Sequence, residues 1–213
     1  IGKYGSSKGS LSDPVSIAVD DQDRLFVLDL GDNYVKVYDS EGKFLFKFGK
    51  APNTALTDPL DLSVAGKHIV VLEDKERHTV RVFDDRGSQT GVFPQSGEIP
   101  YPFRIAVCRD GKVYMFDRSP YLREFTVSGT VGKPMKKKLQ YVTGMAVDAR
   151  GFLIAADRDR GLVSEIVSGV AGSRSIKNQK FFADPLDVSA DDYGNVYVLD
   201  GTTKRIVKLG RRN

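Results

Sequence analysis

Residues 13–29 read DPVSIAVDDQDRLFVLD, and the same pattern returns four more times along the chain. It is DPLDLSVAGKHIVVLE at 58–73, YPFRIAVCRDGKVYMFD at 101–117, YVTGMAVDARGFLIAAD at 141–157 and DPLDVSADDYGNVYVLD at 184–200. Each copy holds two short runs rich in Val, Ile, Leu and aromatic residues on either side of an Asp- or Gly-containing turn. Such runs suit a pleated, half-buried strand, and such turns suit a reversal of the chain. Each copy also ends on an acid: Asp29, Glu73, Asp117, Asp157 and Asp200.

Working outward from the first copy, two more apolar runs follow, Tyr34–Tyr38 and Phe44–Phe48, joined by DSEGK at 39–43. The glycine in that loop, Gly42, marks a hairpin. Four strands per unit, with no segment of sustained helical periodicity, make an all-β chain. Pro14, Pro59 and Pro102 open successive units at spacings of 45 and 43 residues. A repeat of roughly 40–45 residues with four strands in each is the signature of a β-propeller blade. The predicted blades are 11–50, 56–97, 99–139, 140–180 and 181–213 with 1–5, in one domain over 1–213.

The repeat, followed by VKVYDSEG and FLFKFG, resembles the NHL-repeat β-propellers. Units one, two and five carry the resemblance most clearly; unit four lacks the proline, with Val142 in its place. The family's propellers mostly have six blades, and five are counted here. The expectation is a five-bladed propeller, the alternative an incomplete six-bladed ring. Unit five reaches RIVKLG and lacks a fourth run, whereas IGKYG at 1–5 resembles the end of FLFKFG. Ile1–Tyr4 is therefore expected to pair with Arg205–Leu209 and complete the last blade, because an unpaired strand edge is a liability.

Composition bounds the function classes. With 213 residues, 40% hydrophobic and 28% charged, the chain can bury a core without metal or disulfide. Its single cysteine, Cys108, lies in the apolar run FRIAVC and reads as a buried thiol. No apolar run approaches the roughly 18 residues of a membrane helix. Because the first residue is Ile1, a processed or excised form is expected. A net charge of +4 permits an anionic partner without demanding one. Compartment is not specified, with a periplasmic or extracellular setting favoured.

Catalytic chemistry finds little support. Two histidines, His68 and His78, are too few for the usual three or four zinc ligands. No G-x-S-x-G setting offers an activated serine, and DDQD at 20–23 reads as a turn in place of a calcium loop. No catalytic residue, metal ligand or cofactor is assigned. The five recurrent acids read as framework groups capping the turn after the second strand and pairing with a basic neighbour such as Arg205.

The loops after those acids are the most charged in the chain, and in a propeller they share one face. Tyr34, Arg77, Tyr101, Arg118, Tyr121, Arg158, Arg160 and Arg205 are the candidate binding residues, since Tyr and Arg dominate binding hot spots. A protein or peptide partner is expected first, a glycan next. The lysine cluster Lys133, Lys136, Lys137 and Lys138 raises RNA as a further reading, which the resemblance also brings. Its place at the rim of unit three reads better as protection of an exposed edge strand. A metal-dependent lyase or hydrolase is the enzymatic alternative.

Overall fold

The computed structural model describes residues 1–5, 7–52, 55–74, 78–94, 101–118, 121–132, 134–136, 139–166, 173–176 and 182–210. The chain divides into two compact units, 1–119 with 123–134, and 120–122 with 135–213.

The first unit carries blades one and two and most of blade three. Blade one is β1 (Pro14–Val19), β2 (Leu25–Asp29), β3 (Tyr34–Tyr38) and β4 (Phe44–Phe48), paired in that order. Blade two is β5 (Pro59–Ala65), β6 (His68–Glu73), β7 (Val80–Phe83) and β8 (Gln89–Phe93). Blade three is β9 (Pro102–Val107), β10 (Lys112–Asp117), β11 (Tyr121–Thr126) and the two-residue β12 (Met135–Lys136) at its outer edge. The second unit carries blade four, β13 (Val142–Val147), β14 (Leu153–Asp157), β15 (Leu162–Ile166) and β16 (Ser173–Ile176). Blade five follows as β17 (Pro185–Ala190), β18 (Val196–Asp200) and β19 (Arg205–Leu209). The described residues contain no helix. The all-β propeller architecture read from the repeat is thus present, with five sheets for five blades.

The proline that opens each unit has a structural reason. It is the first residue of the first strand, where its missing N–H removes no ladder bond. Directly after it the register slips by one residue, between Pro14 and Ser16, Pro59 and Asp61, and Pro185 and Asp187. Such a bulge bends the strand and re-aims the next side chain. Blade four keeps the bulge between Val142 and Gly144 without the proline.

Within each unit, neighbouring blades bury their facing sheets against one another. Phe26, Leu28, Val35, Val37 and Phe48 of blade one share a core with Leu62, Ile69, Val71 and Phe83 of blade two. Leu72, Val80, Val82 and Phe93 pack in the same way on Ile105, Val107 and Met115 of blade three. In the second unit, Ile154, Ala156 and Val163 pack on Val188, Val196 and Val198. Cys108 is buried, as its apolar setting implied.

Among the described residues of the second unit, blade five has three strands, and Ile1–Tyr4 belongs to the first unit. Tyr4 bridges Leu11, with Leu11 N–H donating to Lys3 O at 2.9 Å and Gly5 N–H to Leu11 O at 3.1 Å. Ile1 packs against the β3–β4 turn, where a side chain on Gly42 would meet its Cγ1 at 2.7 Å.

Candidate functional site

The five recurrent acids are buried, and each lies in register with the residue that opens its blade, as in Pro14 with Asp29 and Pro185 with Asp200. Asp29 accepts the N–H groups of Asp13 at 2.7 Å, Ser12 at 3.0 Å and Gly31 at 3.1 Å. Asp200 accepts those of Thr203 at 2.6 Å, Asp184 at 2.7 Å and Ala183 at 2.8 Å. Asp157 accepts from Gln140 and Tyr141 in the same way. The carboxylate therefore ties the incoming connector to the end of the second strand, satisfying backbone donors that burial would otherwise strand. This is the framework role read from the repeat.

The charge partner differs from expectation. Asp29 binds Lys36 Nζ at 2.6 Å, Glu73 binds Arg81 Nε at 2.5 Å and Asp117 binds Arg123 Nε at 2.5 Å. All three cations come from the third strand of the same blade. Ser164 and Val207 take that register in blades four and five, and Arg205, named as a partner from sequence, is exposed. Its position directly opposite Asp200 in the ladder sets it apart from the Lys36 register. Burial pushes the Asp29 carboxyl up, but Lys36 and the three backbone donors outweigh it and hold the pKa at about 2, against an ordinary 3.8. Burial is also opposed at Asp200, where N–H donors and the Thr203 hydroxyl bring the pKa to about 2 with no cation.

DDQD at 20–23 is a turn: Asp20 Oδ1 accepts the N–H groups of Arg24 at 2.9 Å and Gln22 at 3.0 Å. The same arrangement recurs at Asp39, Asp84, Asp148 and Asp191, where one oxygen, Oδ1, accepts the N–H groups two and four positions on. These acids are committed to turns.

Among the candidate binding residues, Tyr101 and Arg118 are brought together. Tyr101 is 59% exposed, and the Arg118 guanidinium lies 5.3 Å from its ring centre. The His78 ring also contacts it, tilted at 56° with 5.4 Å between centres. Its Nδ1 lies 3.0 Å from Asp74 Oδ1. Asp74 in turn lines an open cleft of about 270 Å³ between blades one and two, with Leu30, Asn33, Asp58, Pro59 and Leu60. The result is a continuous surface in the first unit: a cleft with two carboxylates, then an imidazole, a phenol ring and a guanidinium.

Two backbone positions at this surface are unusual. Asp58 and Tyr101, each immediately before a proline, have φ of 47° and 48°. The left-handed region is unfavourable for a residue with a Cβ, and for a bulky one such as Tyr it is a marked outlier. Strain of this kind gathers where a side chain must be held in a set direction. Asn33 (φ 56°) and His78 (φ 46°) occupy the equivalent left-handed place in the turns before the third strands, with Gly161 and Lys204 in blades four and five.

The other candidates are placed less suggestively. Tyr34 is half-buried beneath Lys47, whose Nζ is 3.7 Å from the ring centre, and Lys50. Arg77 lies outside the described residues. In the second unit, Tyr121 is 38% exposed at the head of β11 and pairs with Lys136. Arg158 binds Asp184 at 2.5 Å, Arg160 donates its N–H to Asp157, and Arg205 is exposed on β19. Of the lysine cluster, Lys133, Lys137 and Lys138 lie outside the described residues. Sequence reading missed Asp74 and His78 as neighbours of Tyr101; their i, i+4 spacing was the available signal.

No family model matches the chain. Part of it is 25% identical over 131 residues to the protein brain tumor of Drosophila melanogaster, covering 55% of this chain and 13% of that protein's length. Among solved structures, a chain of a nidogen/laminin complex superposes with a TM-score of 0.74 at 15% identity, over 95% of this chain and 76% of that one. The fold is an NHL-type β-propeller. Other propellers resemble it at the level of fold. A catalytically inactive virginiamycin B lyase of Staphylococcus aureus, crystallised with quinupristin, has a TM-score of 0.66 at 11% identity, over 94% and 71% of the two chains. YCF48 with a bound peptide has 0.61 at 10%, over 92% and 64%. In this NHL-type propeller the recurrent acids are accounted for by framework bonds, which leaves the Tyr101 surface as the candidate site.

Proposed function

We propose that this propeller is a non-catalytic binding platform that docks a protein or peptide partner through Tyr101 and Arg118. The observation that carries the reading is Tyr101 itself: a large exposed aromatic, held in a left-handed backbone, flanked by a guanidinium and an imidazole. An aromatic whose direction is preset loses little freedom on binding, and Tyr–Arg pairs are typical anchors. The cleft carboxylates Asp58 and Asp74 beside it suit a basic side chain of the partner. The reading is supported by analogy with propellers solved in a protein complex and with a bound peptide.

A displayed random-peptide library, selected on the whole chain, tests it. Selected peptides are expected to lose tenfold or more in affinity for the Tyr101→Ala/Arg118→Ala variant. Peptides that bind both proteins equally, or a selection that yields no binder, would overturn the assignment.

A further inference from the structure

In blades one, two, four and five, the residue after the recurrent acid donates its N–H to the carbonyl of the residue before the first strand. Leu30 donates to Asp13 at 2.8 Å, Asp74 to Asp58 at 3.0 Å, Arg158 to Tyr141 at 2.9 Å and Gly201 to Asp184 at 2.8 Å. These bonds fix the equivalences between blades. Leu30 of blade one holds the place of Arg158 in blade four, and Asp58 of blade two holds the place of Asp184 in blade five.

Within the second unit, Arg158 crosses to the following blade and grips Asp184 with two donors, Nε to Oδ1 at 2.5 Å and Nη2 to Oδ2 at 3.3 Å. A planar guanidinium matches a carboxylate in this forked way. Within the first unit the carboxylate is kept and the guanidinium is not. Leu30 stands in its place, and among the described residues no cation pairs with the Asp58 side chain. The cleft of about 270 Å³ lies there, lined by Leu30, Pro59 and Leu60 beside Asp58 and Asp74. Sites for whole small molecules run to roughly 300–1,000 Å³, so this cleft suits a single side chain. Asp74, at the place of Gly201, brings it a second carboxylate.

We infer that the cleft takes an arginine side chain of the partner, its guanidinium forked on Asp58 as Arg158 is on Asp184. The methylene stem lies on the apolar wall of Leu30 and Leu60, as long cationic side chains do. The fork selects arginine over lysine, whose ammonium is a compact point charge that cannot bond both oxygens in one plane. The inference rests on the docking reading for its peptide partner, and it names the side chain that partner must bring.

Titrating the whole chain with N-acetyl-Gly-Arg-Gly-amide, read by backbone amide shifts, tests the assignment. Saturable shifts are expected at Leu30, Asn33, Asp58 and Asp74, and the Gly-Lys-Gly counterpart should bind about fivefold or more weakly. Asp58→Asn should lose about tenfold or more in affinity for the arginine tripeptide. Asparagine tolerates the left-handed φ of 47° at this position, so the variant should keep the parent's far-ultraviolet spectrum. No binding, shifts confined to other residues, equal affinity for the two tripeptides, or an unchanged affinity of Asp58→Asn would each overturn the assignment. Peptides selected on the chain separate the two readings. Arginine-containing binders that need Asp58 and ignore Tyr101→Ala/Arg118→Ala would overturn the docking reading and leave the cleft standing; binders that need Tyr101 and ignore Asp58→Asn would do the reverse.

Discussion

Asp29 and Asp200 hold equivalent places in the repeat, yet their removal should not cost the same. Asn at either position keeps an acceptor for the backbone donors, but Asp29→Asn also leaves Lys36 buried without its main counter-ion. A stranded buried charge costs about 3–5 kcal/mol, whereas weakening hydrogen bonds alone costs about 1–2 kcal/mol. Chemical denaturation should therefore rank Asp29→Asn well below Asp200→Asn, and adding Lys36→Met to the former should recover most of its loss. The acid limb follows from the same groups. Their folded pKa values are depressed, to about 2, so they stabilise the fold above the ordinary 3.8. That contribution is lost as pH falls from near 4 through 2. The acids themselves were legible, because they recur at the same place in five units. The identity of their cations was not, because Lys36 is seven residues from Asp29 and meets it only once β2 and β3 pair.

At the scale of the element, each first strand begins with a bulge, opened by a proline in every blade but the fourth, and the residue before it decides what the surface presents. Tyr101→Gly should keep the fold and change stability little, raising it by up to about 1 kcal/mol as the left-handed strain is relieved. Truncating a core aromatic would instead cost about 3–5 kcal/mol. A thermal melt together with peptide binding separates the two: stability kept and binding lost is the expected pair. Tyr101 was legible as an exposed aromatic before a proline. Its neighbour His78 was less so: the left-handed residue before the third strand is His78 in blade two, Asn33 in blade one and Lys204 in blade five, with no common side chain to mark it.

For the whole molecule, the N-terminal residues are held to blade one through Leu11 and the Gly42 turn. Deleting residues 1–5 should loosen blade one, with faster amide exchange in the β3–β4 hairpin that Ile1 covers. Faster exchange at Arg205–Leu209 as well is the result expected if Ile1–Tyr4 completes the last blade. The repeat by itself determined the all-β class, the strand order within each blade and the framework role of the acids, since these depend on alternation, turn residues and spacing within some 45 residues. Only the tertiary structure decided which cation meets which acid, which exposed residues converge at Tyr101, and that Ile1–Tyr4 stays with Leu11. Those outcomes rest on side-chain contacts that form only once strands and turns are in place, where competing pairings differ by packing that no local pattern records.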